Sequence, residues 1–464
     1  MEVLLSLKNR FLLLPSLFIT LIFLAVAVFY QWRYEWFVRF AREFYGSTDY
    51  YRYPYLIAKV TGYKTFFWML AGALIFWCVA LRMDDFIKKI ESGILKRLPP
   101  VLPKVFMWIA FFALIPVALW FSDREWMRYN HPCWDNYCVY SELIFNWFRQ
   151  PGSETWNQLL AFMRSDYHSN SPFVPLLVAC TKLITGITVI TSYRLLCCAA
   201  MLAGLFIIFR FLVMQTRCSV NSAAMLLFLI ITNMVVIRSF SFPQTDAFVF
   251  LWTILSITQS YEYVIKPAWT RLFICFTLLT AGLFIKLSFL PVLIFIPLWT
   301  MLYTGIGNKE LFIKALRTAL GRSLVFGAGP LLIYLVFQWS LGLLKLYAEE
   351  LSMMQTEDNY FPFHLICLIH AGAIFFPLII LGAKKLTKTD IMLLTWTGVY
   401  LLSLWLGKTS GWDRFYISVI PFLAIAGRHG IVILKENTPA ALPWIGVGLY
   451  AFINYSAILL NLYQ

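Results

Sequence analysis

At 464 residues, with 61% hydrophobic, 18% aromatic and only 13% charged residues, the chain carries too much apolar surface for a soluble domain. Apolar stretches of about 20 residues recur, and each must satisfy its own backbone in lipid, so the composition predicts an all-α polytopic membrane protein. The formal net charge of +15 has no soluble basic domain to accompany it, which excludes a nucleic-acid partner and points to basic loops on an anionic leaflet and to sites for lipid phosphates.

Lys8 and Arg10 precede an apolar run over residues 11–30, which reads as a first span entering from the cytoplasm. Ala25-Val26-Ala27 resembles a signal-peptidase site, but the run continues past it, so an uncleaved helix is expected. Residues 32–64 then place Trp32, Trp36, Phe40 and Phe44 at i+4 steps with Arg33, Arg39 and Arg42 among them, the pattern of an interfacial helix on the outer side. Those arginines conflict with positive-inside bookkeeping, which the rest of the chain outvotes. A second span over 65–81 leads to a cytoplasmic loop with Arg82, Lys88, Lys89, Lys96, Arg97 and Lys104, and a third over 104–121 delivers the chain to the outside.

The long polar stretch that follows, within an outer loop over 122–190, organises the reading. After Asp135, the residues Tyr140, Leu143, Ile144, Trp147 and Phe148 repeat at helical spacing and predict a helix lying on the membrane surface. A Gln150-Pro151-Gly152 turn hands over to Ser153, an N-cap, and a second surface helix with Trp156, Leu159, Leu160 and Met163 on one face. Ser171-Pro172, cap then first-turn proline, opens a third piece that runs to about Gly186. The loop therefore holds Asp135, Asp166 and His168 near the bilayer. An Asp before an amphipathic helix is equally a natural N-cap, so a structural role for Asp135 stands beside a chemical one.

Whether residues 172–189 cross decides every later loop. If they do not, the cytoplasmic loops carry Arg217, Lys266, Arg271, Lys309, Lys314, Arg317, Arg322, Lys384, Lys385, Lys388, Arg428 and Lys435, while Glu349, Glu350, Glu357 and Asp358 lie outside. Residues 172–189 are accordingly read as a third juxtamembrane helix. The remaining spans fall at 191–214, 219–237, 242–260, 270–286, 287–303, 323–342, 363–381, 391–406, 414–427 and 441–460, about thirteen in all. No internal repeat is evident. Of nine cysteines most sit in apolar runs, and only Cys133 and Cys138 bracket Asp135, as a disulfide if the loop meets an oxidising compartment or as two thiols otherwise.

In this topology Asp246, Lys286, Arg414 and Tyr416 converge on the outer face. Ionisable groups in membrane segments cost about 2.5–3.5 kcal/mol each on insertion scales, so they are functional candidates, with snorkelling or ion-paired structural residues as the plainer account. Two acids in a lipid-level loop, two cations on nearby helix ends and no nucleophile–base–orienter set suit one chemistry. The cations hold a phosphate, a carboxylate takes a proton from a hydroxyl, and a group moves from a lipid-linked phosphate to an acceptor.

The order of these features resembles the GT-C superfamily of membrane glycosyltransferases, especially the branch of protein O-mannosyltransferases and the lipid A aminoarabinose transferase. Asp135-Asn136 with Tyr140 stands where that branch has an acidic pair and a tyrosine, and Ser171-Pro172-Phe173-Val174-Pro175-Leu176-Leu177 loosely matches its proline-rich stretch. Gly186 and Arg194 match its small residue and arginine, Asp246 its later aspartate, Ile285-Lys286 its Thr-Lys, and Arg414-Phe415-Tyr416 with Pro421 its Arg-Tyr-to-Pro run. The resemblance covers residues 104–430 as a catalytic core, leaving 1–103 as a two-span extension and 431–464 as a C-terminal span.

It implies a polyprenyl-phosphate sugar donor, a glycan, lipid or protein acceptor, and an inverting single displacement with Asp135 as general base. Lys286, Arg414 and Tyr416 would hold the donor phosphate, and Asn136, Tyr140, Asp166, His168, Arg194 and Asp246 would contact the acceptor or support the site. Asn136 replaces the second acid of the pair, which weakens any contact that acid makes. His131, His168 and His364 show no metal spacing, so no metal is expected to be required, with a divalent ion at Asp166 or His168 as the alternative. A bacterial inner membrane, with the site facing the periplasm or cell exterior, is the expected location. Two other classes compete: an O-antigen ligase or polymerase using lipid diphosphate glycans, and a transporter or flippase, for which neither inverted repeats nor broken helices are visible in the sequence.

Overall fold

The computed structural model describes residues 2–44, 53–83, 109, 112–117, 119–120, 132–165, 171–240, 245–305, 309–344, 361–406, 413–439 and 441–463. Among them every regular element is helical and no strand occurs. Among the described residues six helices are long and apolar enough to cross a membrane, seven if one bent pair counts as a single span. Several long apolar helices of this kind make the chain an all-α, membrane-embedded protein. The expected span over 104–121 and the basic loop before it lie largely outside the described residues.

The first helix, Glu2–Trp32, breaks at Arg33 and resumes as Tyr34–Phe44. The expected interfacial helix over 32–64 is therefore shorter than predicted. Residues from Tyr53 onward belong instead to a long helix, Tyr53–Arg82, whose second residue is Pro54, a first-turn position at which a missing N–H costs nothing. The two long helices pack together through an aromatic seam in which Tyr30 stacks on Phe37 at 4.6 Å and meets Tyr63 at 6.4 Å.

Three pieces of the polar loop are helical, as Pro132–Arg149, Ser153–Ser165 and Phe173–Thr185. All three starts differ from the sequence reading; in the second helix Ser153 is the first helical residue and not the cap, since Trp156 N donates to Gly152 O at 3.0 Å. The first begins at Pro132, because proline serves well at a helix N-terminus, so Asp135 lies inside the first turn and is not the cap. In the third, Pro172 takes the cap position with no side-chain hydrogen bond, so Ser171 stands one residue too early to cap. The end is as expected: Gly186 adopts φ 73°, the left-handed conformation a helix-terminating glycine supplies, and its N–H donates to Lys182 O at 2.8 Å. Tyr140, Ile144, Leu159, Met163, Ala179 and Leu343 bury against one another and bind the loop helices into a small core of their own.

Several expected spans are interrupted. Residues 219–237 form two helices, Val220–Ile231 and Met234–Arg238. Asn233 accepts from Val235 N at 3.0 Å and donates to Ala371 O and Tyr450 OH, while Met234 N donates to Asn454 Oδ1, so the freed backbone groups are satisfied inside the protein. Residues 287–303 start as a 3₁₀ segment, Leu287–Ile294, because Lys286 is extended and Pro291 has no N–H to give; only Phe295–Gly305 is α-helical. Residues 363–381 form two helices bent by 75°, the second with Pro377 in its first turn. The broken helices that the sequence did not reveal are thus present in the fold.

Two basic segments expected in cytoplasmic loops are also helical. Lys314, Arg317 and Arg322 ride on Lys309–Ser323, which runs through a π turn into Gly329–Ser340 as one candidate span over Phe312–Ser340. Arg428 lies within Ile420–Asn437 and is buried, because Asp390 of the helix Lys388–Leu406 neutralises it.

Candidate functional site

Asp246 opens the helix Asp246–Ile265, and Lys286 follows Trp269–Ile285 at the break before the 3₁₀ segment. These two ends meet. Lys286 Nζ donates to Asp246 Oδ1, and the side chains are 16% and 5% exposed, so both charges are withdrawn from solvent into one pair. A helix that ended elsewhere would not place the ammonium there: Lys286 sits in extended backbone, φ −166° and ψ 140°, which turns its side chain out of the helical repeat.

Against this pair stands a third element, the 3₁₀ turn Asp413–Ser418 that carries Arg414 and Tyr416. Tyr400, in the helix Lys388–Leu406, is buried beside this turn, its ring 6.4 Å from that of Tyr416. Tyr416 is itself buried, with its hydroxyl 3.2 Å from His364 Nδ1. The turn also packs against the short helix ending in Arg238. One end of the helical bundle therefore gathers Asp246, Lys286, Tyr400, Tyr416, Ser418 and His364.

The loop helices lie at this same end. The Asp135 helix packs against Val189–Arg210, whose second turn carries the buried Tyr193. Phe173 meets Trp252, in the second turn after Asp246, with ring centroids 5.2 Å apart. Arg164 Nε donates to Leu341 O at 3.4 Å, and Lys182 pairs with Glu142 while its ammonium covers the Phe145 ring at 4.2 Å. Tyr140 packs on Phe162 at 5.5 Å inside the loop's own core, where burial pushes its hydroxyl above the ordinary tyrosine range. Asn136 and Arg194 are half-buried. Asp166 and His168 lie outside the described residues, as do the side chains of Asp135, Arg414 and Cys133. No group of three or more His, Cys, Asp or Glu side chains is gathered as metal ligands among the described residues.

Sequence reasoning considered His364 only as a metal ligand and missed Tyr400 and Ser418, which stand inside apolar runs as single polar residues. It also missed a second buried cluster between the first turn of the helix Lys388–Leu406 and the middle of Ile420–Asn437. There Asp390 accepts from both Arg428 Nη atoms, from the amide and hydroxyl of Thr387 at 2.7 Å each, and from His429 Nε2 at 3.1 Å. An acid following Lys-Thr at the head of one apolar run and an Arg-His within another were the available signals.

Compared with protein-family models, with curated proteins and with solved structures, the chain matches none.

Proposed function

We propose that the chain is a glycosyltransferase of the GT-C kind, moving a sugar from a polyprenyl-phosphate donor to a glycan, lipid or protein acceptor at the extracytoplasmic face of a bacterial inner membrane. In this reading it crosses about thirteen times, with the loop helices on the outer surface. The acceptor oxygen attacks the anomeric carbon as the carbon–oxygen bond to phosphate breaks. The bonding pair leaves with the phosphate, the configuration inverts, and Asp135 takes the acceptor proton. Lys286 and Arg414, with Tyr416, hold the departing phosphate, Lys as a point charge and Arg through its planar fork. Asn136, Tyr140, Asp166, His168, Arg194 and Asp246 support or contact the acceptor.

The observation that carries this reading is the buried Lys286–Asp246 pair at a helix break, beside the turn that holds Arg414 and Tyr416 and at the end where the Asp135 helix lies. A lysine at membrane level offers a lipid phosphate a counter-charge, which supports this reading. Asp135→Asn in purified protein should abolish transfer from a lipid-monophosphate sugar while leaving the unfolding transition unchanged. Near-normal transfer by that variant would remove Asp135 as the base, and turnover of a lipid diphosphate donor alone would favour the ligase or polymerase class.

A second reading has a specific observation behind it. Broken helices paired with intramembrane charge are also how transporters build midplane sites, and this fold has such breaks at Lys286 and at Gly372–Phe375. Movement of an intact lipid-linked sugar without bond formation would establish it.

A further inference from the structure

Lys286 already has an anion. Its ammonium is engaged by Asp246, and the carboxylate is the more deeply withdrawn of the two, 5% exposed against 16%. An arriving phosphate therefore approaches the ammonium from its more accessible side and brings a second negative charge against a carboxylate that cannot retreat into water. Two anions on one ammonium in a low-dielectric site repel strongly, so the two compete.

Resting on the phosphate-binding reading of Lys286, we propose that Asp246 is an internal competitor for that lysine, that a phosphate-headgroup lipid binds by exchanging with its carboxylate, and that Asp246 thereby sets the affinity of the site. The arrangement has a functional logic. A lysine with no internal anion would retain the phosphate product, whereas one that returns to Asp246 lets it go, and a site must bind weakly enough to turn over. Asp246 is thus a positioning residue and touches no reacting atom.

The test measures binding of farnesyl phosphate, with farnesol as the headgroup-free control, to full-length protein in detergent micelles. Asp246→Asn should bind farnesyl phosphate about tenfold more tightly than wild type, the lower range of coupling for close charge pairs, with farnesol binding unchanged. Asp246→Glu, which keeps the charge, should bind farnesyl phosphate more weakly than either neutral variant, and Asp246→Ser is the second neutral variant should the Asn protein fail to fold. A neutral variant with wild-type unfolding that binds farnesyl phosphate equally or more weakly overturns the competition. Lys286→Met binding farnesyl phosphate as well as wild type overturns the phosphate assignment itself, and the two failures are distinct.

Discussion

The Asp390–Arg428 pair gives the sharpest prediction about how the fold is held. Its side chains are 0% and 6% exposed, so removing one partner strands the other in an apolar interior. The two losses are unequal. Without Arg428, Asp390 still accepts from the Thr387 amide and hydroxyl and from His429. Without Asp390, the described acceptor left to Arg428 is the Ile425 carbonyl at 2.8 Å. Breaking a buried pair costs about 3–5 kcal/mol, so Asp390→Leu should fall in that range and Arg428→Met near its lower edge. The double variant, apolar on both sides, should lie within about 2 kcal/mol of wild type, because replacing a buried pair by well-packed hydrophobes is often neutral. The assay is equilibrium unfolding in mixed micelles titrated with sodium dodecyl sulfate, followed by tryptophan fluorescence. Additive losses, or a greater loss from Arg428→Met than from Asp390→Leu, would refute the argument.

Two further predictions use backbone geometry. A Cβ on Gly430 would collide with the Leu378 carbonyl oxygen, and one on Gly382 would lie 2.8 Å from His429 Cβ, whereas one on Gly398 meets nothing within 4 Å. Gly430→Ala should cost about 3 kcal/mol or more, the upper range for overpacking, while Gly398→Ala should gain up to about 1 kcal/mol in the same titration. Arg217 is the one described non-glycine residue with positive φ, 53°, at a helix end where Cys218 N donates to Leu212 O and Thr216 N to Phe211 O. Arg217→Gly should stabilise the protein by about 0.5–1 kcal/mol, measured as a raised unfolding midpoint, and a lowered midpoint would show that the guanidinium makes a contact worth more than the strain.

How much of this was legible in the residues follows from what each feature depends on. Helical class and membrane embedding depend on hydropathy, a local property, and were readable throughout. The loop helices were readable for the same reason, down to the Gly186 terminus, because glycine's conformational freedom is also local. Helix breaks were not. Asn233 ends one helix only because Ala371, Tyr450 and Asn454, far along the chain, are there to complete the hydrogen bonds of its broken backbone. Arg428 was misplaced in a loop because the residue that permits its burial, Asp390, is 38 positions away and no periodicity connects them. Asp246 and Lys286 stand out in the sequence as intramembrane charges, but which partner each takes depends on two helix ends 40 positions apart meeting in the fold. Tyr400 carried no signal, because a tyrosine in an apolar run is ordinarily core, and His364 showed only that it has no metal spacing.

The measurement that bears most directly on sugar transfer uses proteoliposomes loaded with a polyprenyl-phosphate sugar and a hydroxyl acceptor, with both lipid and acceptor products followed by mass spectrometry. Equimolar appearance of free polyprenyl phosphate and glycosylated acceptor, lost in Lys286→Met and in Asp135→Asn, is the predicted result. Passage of intact donor across the bilayer with no polyprenyl phosphate released would contradict it and make the chain a carrier of the lipid-linked sugar.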